Sequence, residues 1–125
     1  MKAAITAAGG KDQLLIAVQR LSSSLGLPDG WQAPLEDVMA ACVVAPRVLT
    51  MPPTAVAQRA TEVEAIVRVS PKRARELCLR SPALLLVSRK TLEAKLRAMT
   101  LATGLDPEAC AIMVTVHMFP ELKSQ

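Results

Sequence analysis

A proline that closes a helical pattern and is followed at once by apolar residues recurs along this chain, and no other feature limits its fold as much. It occurs as VVAPRVL around Pro46, LRSPALL around Pro82 and HMFPEL around Pro120, at spacings of 36 and 38 residues. Four residues before each proline stand Cys42, Cys78 and Val116, and eight before stand Val38, Ala74 and Ile112. Small or apolar residues at that interval form the buried stripe of one helix running up to the break. The residue before a proline is pushed out of the helical region, and proline donates no backbone hydrogen bond. The helix before Pro82 is therefore expected to stop at about Arg80 or Ser81. Leu84, Leu85 and Leu86 then cross between layers as a short turn or 3₁₀ segment packed in the core.

Ten residues after the first two prolines a second apolar series begins, Val56, Ala60, Val63, Ile66 in one copy and Leu92, Leu96, Met99, Ala102 in the next. The N-terminal segment carries the same helix as Leu14, Val18, Leu21, and its SLGLPDG parallels LATGLDPE further on. Gly26 and Gly104 each fall twelve residues after the first apolar position, where a helix ends on a left-handed glycine. Ser70 before Pro71 and Asp106 before Pro107 place a capping side chain ahead of a first-turn proline. Trp31 and the following QAP read as a loop insertion that lengthens the first copy to 42 residues.

These offsets predict an all-α fold, a short right-handed-type α-solenoid of helical repeats about 36 residues long. Residues 1–10 are expected to be a flexible tail. A half repeat over 11–27, repeats over 28–68 and 69–104, and a half repeat over 105–125 follow. Composition agrees. Strands are poorly supported because aromatic residues make up only 2% of the chain, Trp31 and Phe119, while Ala, Leu, Glu, Arg and Met dominate. The same scarcity argues against RNA-binding sheets and oligonucleotide-binding barrels, which stack bases on exposed rings. Half the residues are hydrophobic, yet no apolar run nears the roughly 20 residues of a membrane span. Such a chain either packs tightly or leaves apolar faces for a partner.

The net charge of +4 is unevenly placed. Arg68, Lys72, Arg73, Arg75, Arg80, Arg89, Lys90, Lys95 and Arg97 stand against Glu76 and Glu93, a balance of +7, so the rest of the chain is at −3. Arg68, Lys72 and Arg75 fall at i, i+4, i+7, with Ala74, Leu77, Cys78 and Ser81 on the buried side, and Lys90 and Arg97 share a face of the next helix. Phosphate is the natural counterpart of such a face, because guanidinium binds it bidentately and each neutralised phosphate releases counterions. The bland alternative is a solvated basic surface.

The units LEDVMAACVVAPRVL, PKRARELCLRSPALLLVSRKTLEAKLRAMTLATGLDPE and ACAIMVTVHMFPEL resemble repeats of the mitochondrial transcription termination factor family. The match rests on the helix ending in proline and leucines, the Leu-x-x-Lys-Leu of LEAKL at Leu92 to Leu96, and the following Gly-Leu with an acidic helix start; it spans residues 14 to 122. The resemblance implies a solenoid with a positively charged concave face, acting on DNA or RNA in mitochondria or plastids. It also implies more repeats than are present here, so the expectation is either that this is part of a longer protein or that a protein partner covers the ends of the array.

The remaining residues add little chemistry. Cys42, Cys78 and Cys110 lack Cys-x-x-Cys spacing, which argues against a disulfide framework or zinc site. The five glycines make no phosphate-binding loop, and His117, the single histidine, has no nucleophile in a matching pattern. MKAAITAAGG lacks the apolar core of a secretory signal and the arginines of an import peptide, so any import peptide is expected outside this chain. The expectation is a non-catalytic nucleic-acid-binding protein of the mitochondrion, or alternatively the plastid, with no cofactor, no metal and no membrane insertion. Its target is RNA or DNA, with ribosomal RNA of an organellar ribosome foremost. The competing expectation is a scaffold or assembly subunit that uses apolar end faces against protein.

Overall fold

Both helix-breaking prolines within the described residues act at the same backbone angles in the computed structural model, which describes residues 1–115, 118 and 119. Ala45, before Pro46, has φ −133 and ψ 78, and Ser81, before Pro82, has φ −128 and ψ 77. Both residues still donate their N–H at 2.8 Å to the carbonyl four residues back, Ala41 and Leu77 respectively. The break is thus a full last turn followed by a sharp exit, the conformation that proline forces on its predecessor.

Among the described residues every regular element is helical. In chain order these are α1 (Lys2–Ala8), α2 (Lys11–Ser24), α3 (Leu35–Val44), a 3₁₀ turn (Pro46–Thr50), α4 (Pro53–Val67), α5 (Pro71–Arg80), α6 (Ala83–Leu86), α7 (Arg89–Thr103) and α8 (Pro107–Ile112). The bounds of α5 and α7 are those of α3 and α4 advanced by 36 residues, and α8 begins 36 residues after α5. No helix is long and apolar enough to cross a membrane among the described residues.

The helices pack in rows. α2, α4 and α7 neighbour one another in succession, as do α3, α5 and α8, while α1, the 3₁₀ turn and α6 follow in a third row between them. Val38, Cys42, Ala74 and Cys78, the residues eight and four before the two prolines, are buried, as are Val56, Ala60, Val63, Leu92 and Leu96 of the second series. Leu84 and Leu85 are 0% and 1% exposed, so the crossing between rows is core; each such leucine contributes about 1.5 to 3 kcal/mol. Helix starts follow the capping chemistry: the Ser70 and Asp106 side chains accept the N–H of Arg73 and Ala109. Ser81 adds a tie along one row, from the end of α5 to the end of α8, its buried hydroxyl donating at 3.0 Å to the Ile112 carbonyl.

Two expectations are corrected, and the other ends of the helices are sharpened. Residues 2–8, expected within a flexible tail, form α1, whose Ala4 is fully buried and which packs on the 3₁₀ turn, α2 and α3. Its position before α2 is that of α6 before α7, so it supplies the short element of the first copy. Gly26 is not left-handed. A Cβ there would lie 3.0 Å from the Ser23 carbonyl oxygen and 3.4 Å from that of Trp31, so glycine serves close approach instead. Gly104 does end α7 left-handed, at φ 74, but the equivalent end of α4 is Arg68 at φ 63. The leucines after Pro82 form the expected short turn, a single α-helical one, and the segment after Pro46 is 3₁₀. Val116, His117 and Pro120, and with them the third break and most of the second half of the last half repeat, lie outside the described residues.

Candidate nucleic-acid interface

The nine basic residues do not converge on one face. Arg68 is outside α5, in the left-handed cap of α4, so its i, i+4, i+7 alignment with Lys72 and Arg75 fails. Arg75 points inward: its side chain is 8% exposed, and its guanidinium donates at 3.0 Å both to the Glu64 carboxylate and to the Pro71 carbonyl. A guanidinium held in this way is structural and is not open to phosphate. Helical spacing along α5 puts it on the basic side because that helix alone carries no trace of Glu64, which reaches it from α4.

Two further cations are paired. Arg73 crosses to Glu108 on α8 and lies 3.8 Å from Glu76. The hydrogen bond to Glu108 holds its guanidinium protonated more firmly than usual. Arg89 bonds Glu93 one turn on, at 2.8 Å. Such half-exposed pairs lock side-chain direction more than they add stability. Arg68, Lys72, Arg80, Lys90 and Arg97 are exposed, and Lys95 is half-exposed; none of these six forms an ion pair with another described residue.

They line three grooves. Between α4 and α7 a groove of about 410 Å³ is lined by Arg68, Arg89, Glu93 and Arg97. Between α3 and α5 a groove of about 530 Å³ is lined by Trp31, Asp37, Lys72, Arg73, Glu76 and Arg80. Along the other flank of α7, Lys90 and Lys95 face Met118 and Phe119 across a more open groove of about 530 Å³. Lys90 and Arg97 share a helical face, as expected, yet each borders a different groove.

Trp31 is a candidate functional residue that the sequence does not single out. It lies in the expected loop insertion, but the turn fixes its backbone: the main-chain N–H donates at 2.9 Å to the Asp29 side chain, and the main-chain carbonyl accepts the Leu27 N–H at 2.8 Å. The Pro-Asp-Gly before it signals the turn. Lys72 and Arg80, which line the same groove, belong to α5 and leave no local signal.

The cysteines are free and buried. Burial pushes the Cys42 thiol up to about 11 and Cys78 up to about 12, so both are neutral packing groups. Among the described residues no cluster of His, Cys, Asp or Glu could hold a metal ion. No family model, no curated protein and no solved structure matches this chain.

Proposed function

We propose that this chain is a non-catalytic helical-repeat module, a short right-handed-type α-solenoid of the mitochondrial transcription termination factor type, that binds nucleic acid through its second full repeat. The 36-residue recurrence of element bounds and the three rows of helices support the solenoid reading. One observation carries the binding reading: a chain of net charge +4 gathers +7 between Arg68 and Arg97, and five of those cations are exposed without an ion-pair partner among the described residues. Exposed cations without ion-pair partners, carried on packed helices, suit phosphate. Placement in an organelle, on ribosomal RNA in particular, is the part of this reading that rests on the family resemblance.

The test is titration of labelled RNA and DNA with the chain over a range of salt. Each contacted phosphate adds about −0.7 to −0.9 to the log-log slope of affinity against salt. Binding that weakens with salt and is lost on reversing Arg68, Lys72, Arg80, Lys90 and Arg97 together supports the reading. Affinity insensitive to salt, or absent, overturns it.

A second reading has its own observation. Met113 stands 36 residues after Leu77, which is fully buried, but is itself 38% exposed, and Leu101 and Leu105 on the same last stretch of chain are 82% and 43% exposed. This apolar end suits a protein scaffold contact. Under that reading Leu101→Glu with Met113→Glu abolishes association with a partner or a second copy, while reversal of the basic residues leaves it intact.

A further inference from the structure

Among the three grooves, the one between α3 and α5 alone brings together an aromatic side chain, exposed cations and carboxylates that limit the local charge. Trp31 is half-buried and its backbone is pinned on both sides by the Leu27–Trp31 turn. Lys72 and Arg80 lie at opposite ends of α5, both exposed. The eight steps between them advance about 12 Å along the helix, enough for a strand of a few nucleotides. Arg73, between them, is tied to Glu108 and Glu76, so that part of the groove is held in place.

We propose that this groove is a subsite for single-stranded nucleic acid, in which the Trp31 indole stacks on an unpaired base and Lys72 and Arg80 hold flanking phosphates. The proposal rests on the nucleic-acid reading above and narrows it to one place and one strand state. Charge alone cannot hold a strand here, because Asp37 and Glu76 line the same groove as Lys72, Arg73 and Arg80, leaving a net of about +1. Those carboxylates repel a continuous phosphate backbone lying along the groove, which disfavours a duplex. A splayed base escapes that repulsion, and its stacking on an aromatic face is comparable in strength to several screened phosphate contacts. The volume of about 530 Å³ lies within the range of sites that enclose one small ligand or nucleotide.

Trp31 is the one tryptophan in the chain, so its emission reports this groove alone. The experiment titrates the whole chain with fluorescein-labelled ten-nucleotide single-stranded RNA, single-stranded DNA and the corresponding duplex, reading anisotropy and tryptophan emission together. The expected result is emission quenching that saturates in step with anisotropy for a single strand, the RNA and DNA arms showing which sugar is preferred. Trp31→Ala weakens binding about 5- to 150-fold, Trp31→Phe retains most of it, and Lys72→Glu with Arg80→Glu weakens it while the melting curve is kept. Anisotropy binding with unchanged emission, undiminished by the Trp31 and Lys72/Arg80 variants but lost in Arg68→Glu with Arg97→Glu, overturns the subsite and leaves the nucleic-acid reading standing. Preference for duplex overturns it likewise. No binding of any strand overturns both.

Discussion

Arg75 offers the sharpest test of the interior, because its sequence position suggests a phosphate ligand and its surroundings make it a strut. Its guanidinium makes two charge-assisted hydrogen bonds of 3.0 Å, to Glu64 on α4 and to the Pro71 carbonyl at the start of its own helix. A net hydrogen bond to a charged group contributes about 1.5 to 3 kcal/mol. The buried Nε has no partner, and burying the cation costs part of that gain. Arg75→Met keeps the apolar stem and removes the charge, so the expected loss is about 2 to 3 kcal/mol. For a chain of 125 residues each kcal/mol moves Tm by about 4 °C, giving a fall of about 8 to 12 °C. Glu64→Gln strands the buried guanidinium beside a neutral amide and costs about 1 to 3 kcal/mol, less than full removal of a buried partner because Glu64 is 27% exposed. The double variant is expected to lose less than the two single losses added, by about 1 to 2 kcal/mol. The assay is thermal unfolding by circular dichroism, with anisotropy binding measured on each folded variant. If Arg75→Met melts within about 2 °C of the parent and loses nucleic-acid affinity, the guanidinium is a surface ligand and not a strut.

Three further outcomes follow from particular residues. Leu85→Ala empties a site 1% exposed and is expected to cost about 2 to 5 kcal/mol, read as a lower urea midpoint with unchanged slope. Arg68 and Gly104 hold the same left-handed position 36 residues apart, so Arg68→Gly is expected to raise Tm by about 2 to 4 °C and Gly104→Ala to lower it by a similar amount. The folded-state pKa values of Cys42 and Cys78 are raised from 9.0 to about 11 and about 12, so their contribution to stability is fully present below pH 9 and is lost as pH rises through those values. The chain is expected to lose stability above about pH 9 more steeply than its Cys42→Ala, Cys78→Ala variant, and its thiols to resist alkylation until the chain unfolds.

The helix breaks at Ala45 and Ser81, the caps at Ser70 and Asp106, the left-handed Gly104 and the buried apolar positions four and eight residues before the prolines are all legible in the amino-acid sequence. Each is set by residues within a turn or two: proline excludes its predecessor from the helix, a hydroxyl or carboxylate satisfies an open N–H, and apolar spacing selects the buried side. α1 is not legible in this way because KAAITAA has too few large apolar residues to show a period, and only packing on the 3₁₀ turn, α2 and α3 accounts for its order. Arg68 takes the glycine's place in the α4 cap, a substitution no spacing rule would offer. Trp31 reads as part of an insertion because its role depends on α5, whose groove-lining residues begin some forty positions later.

Where helices start, stop and turn their apolar sides inward is decided along the chain, since those forces act between near neighbours. Which cations remain free is decided by the folded rows. Arg75, Arg73 and Arg89 occupy helical positions as polar as those of Lys72, Arg80 and Arg97. The partners Glu64 and Glu108 come from other helices, and only Glu93 and Glu76 are local. Charge acts through space across adjoining helices, so a count of basic residues locates the stretch that carries the charge, and only the packing of α3, α4, α5, α7 and α8 separates strut from candidate ligand.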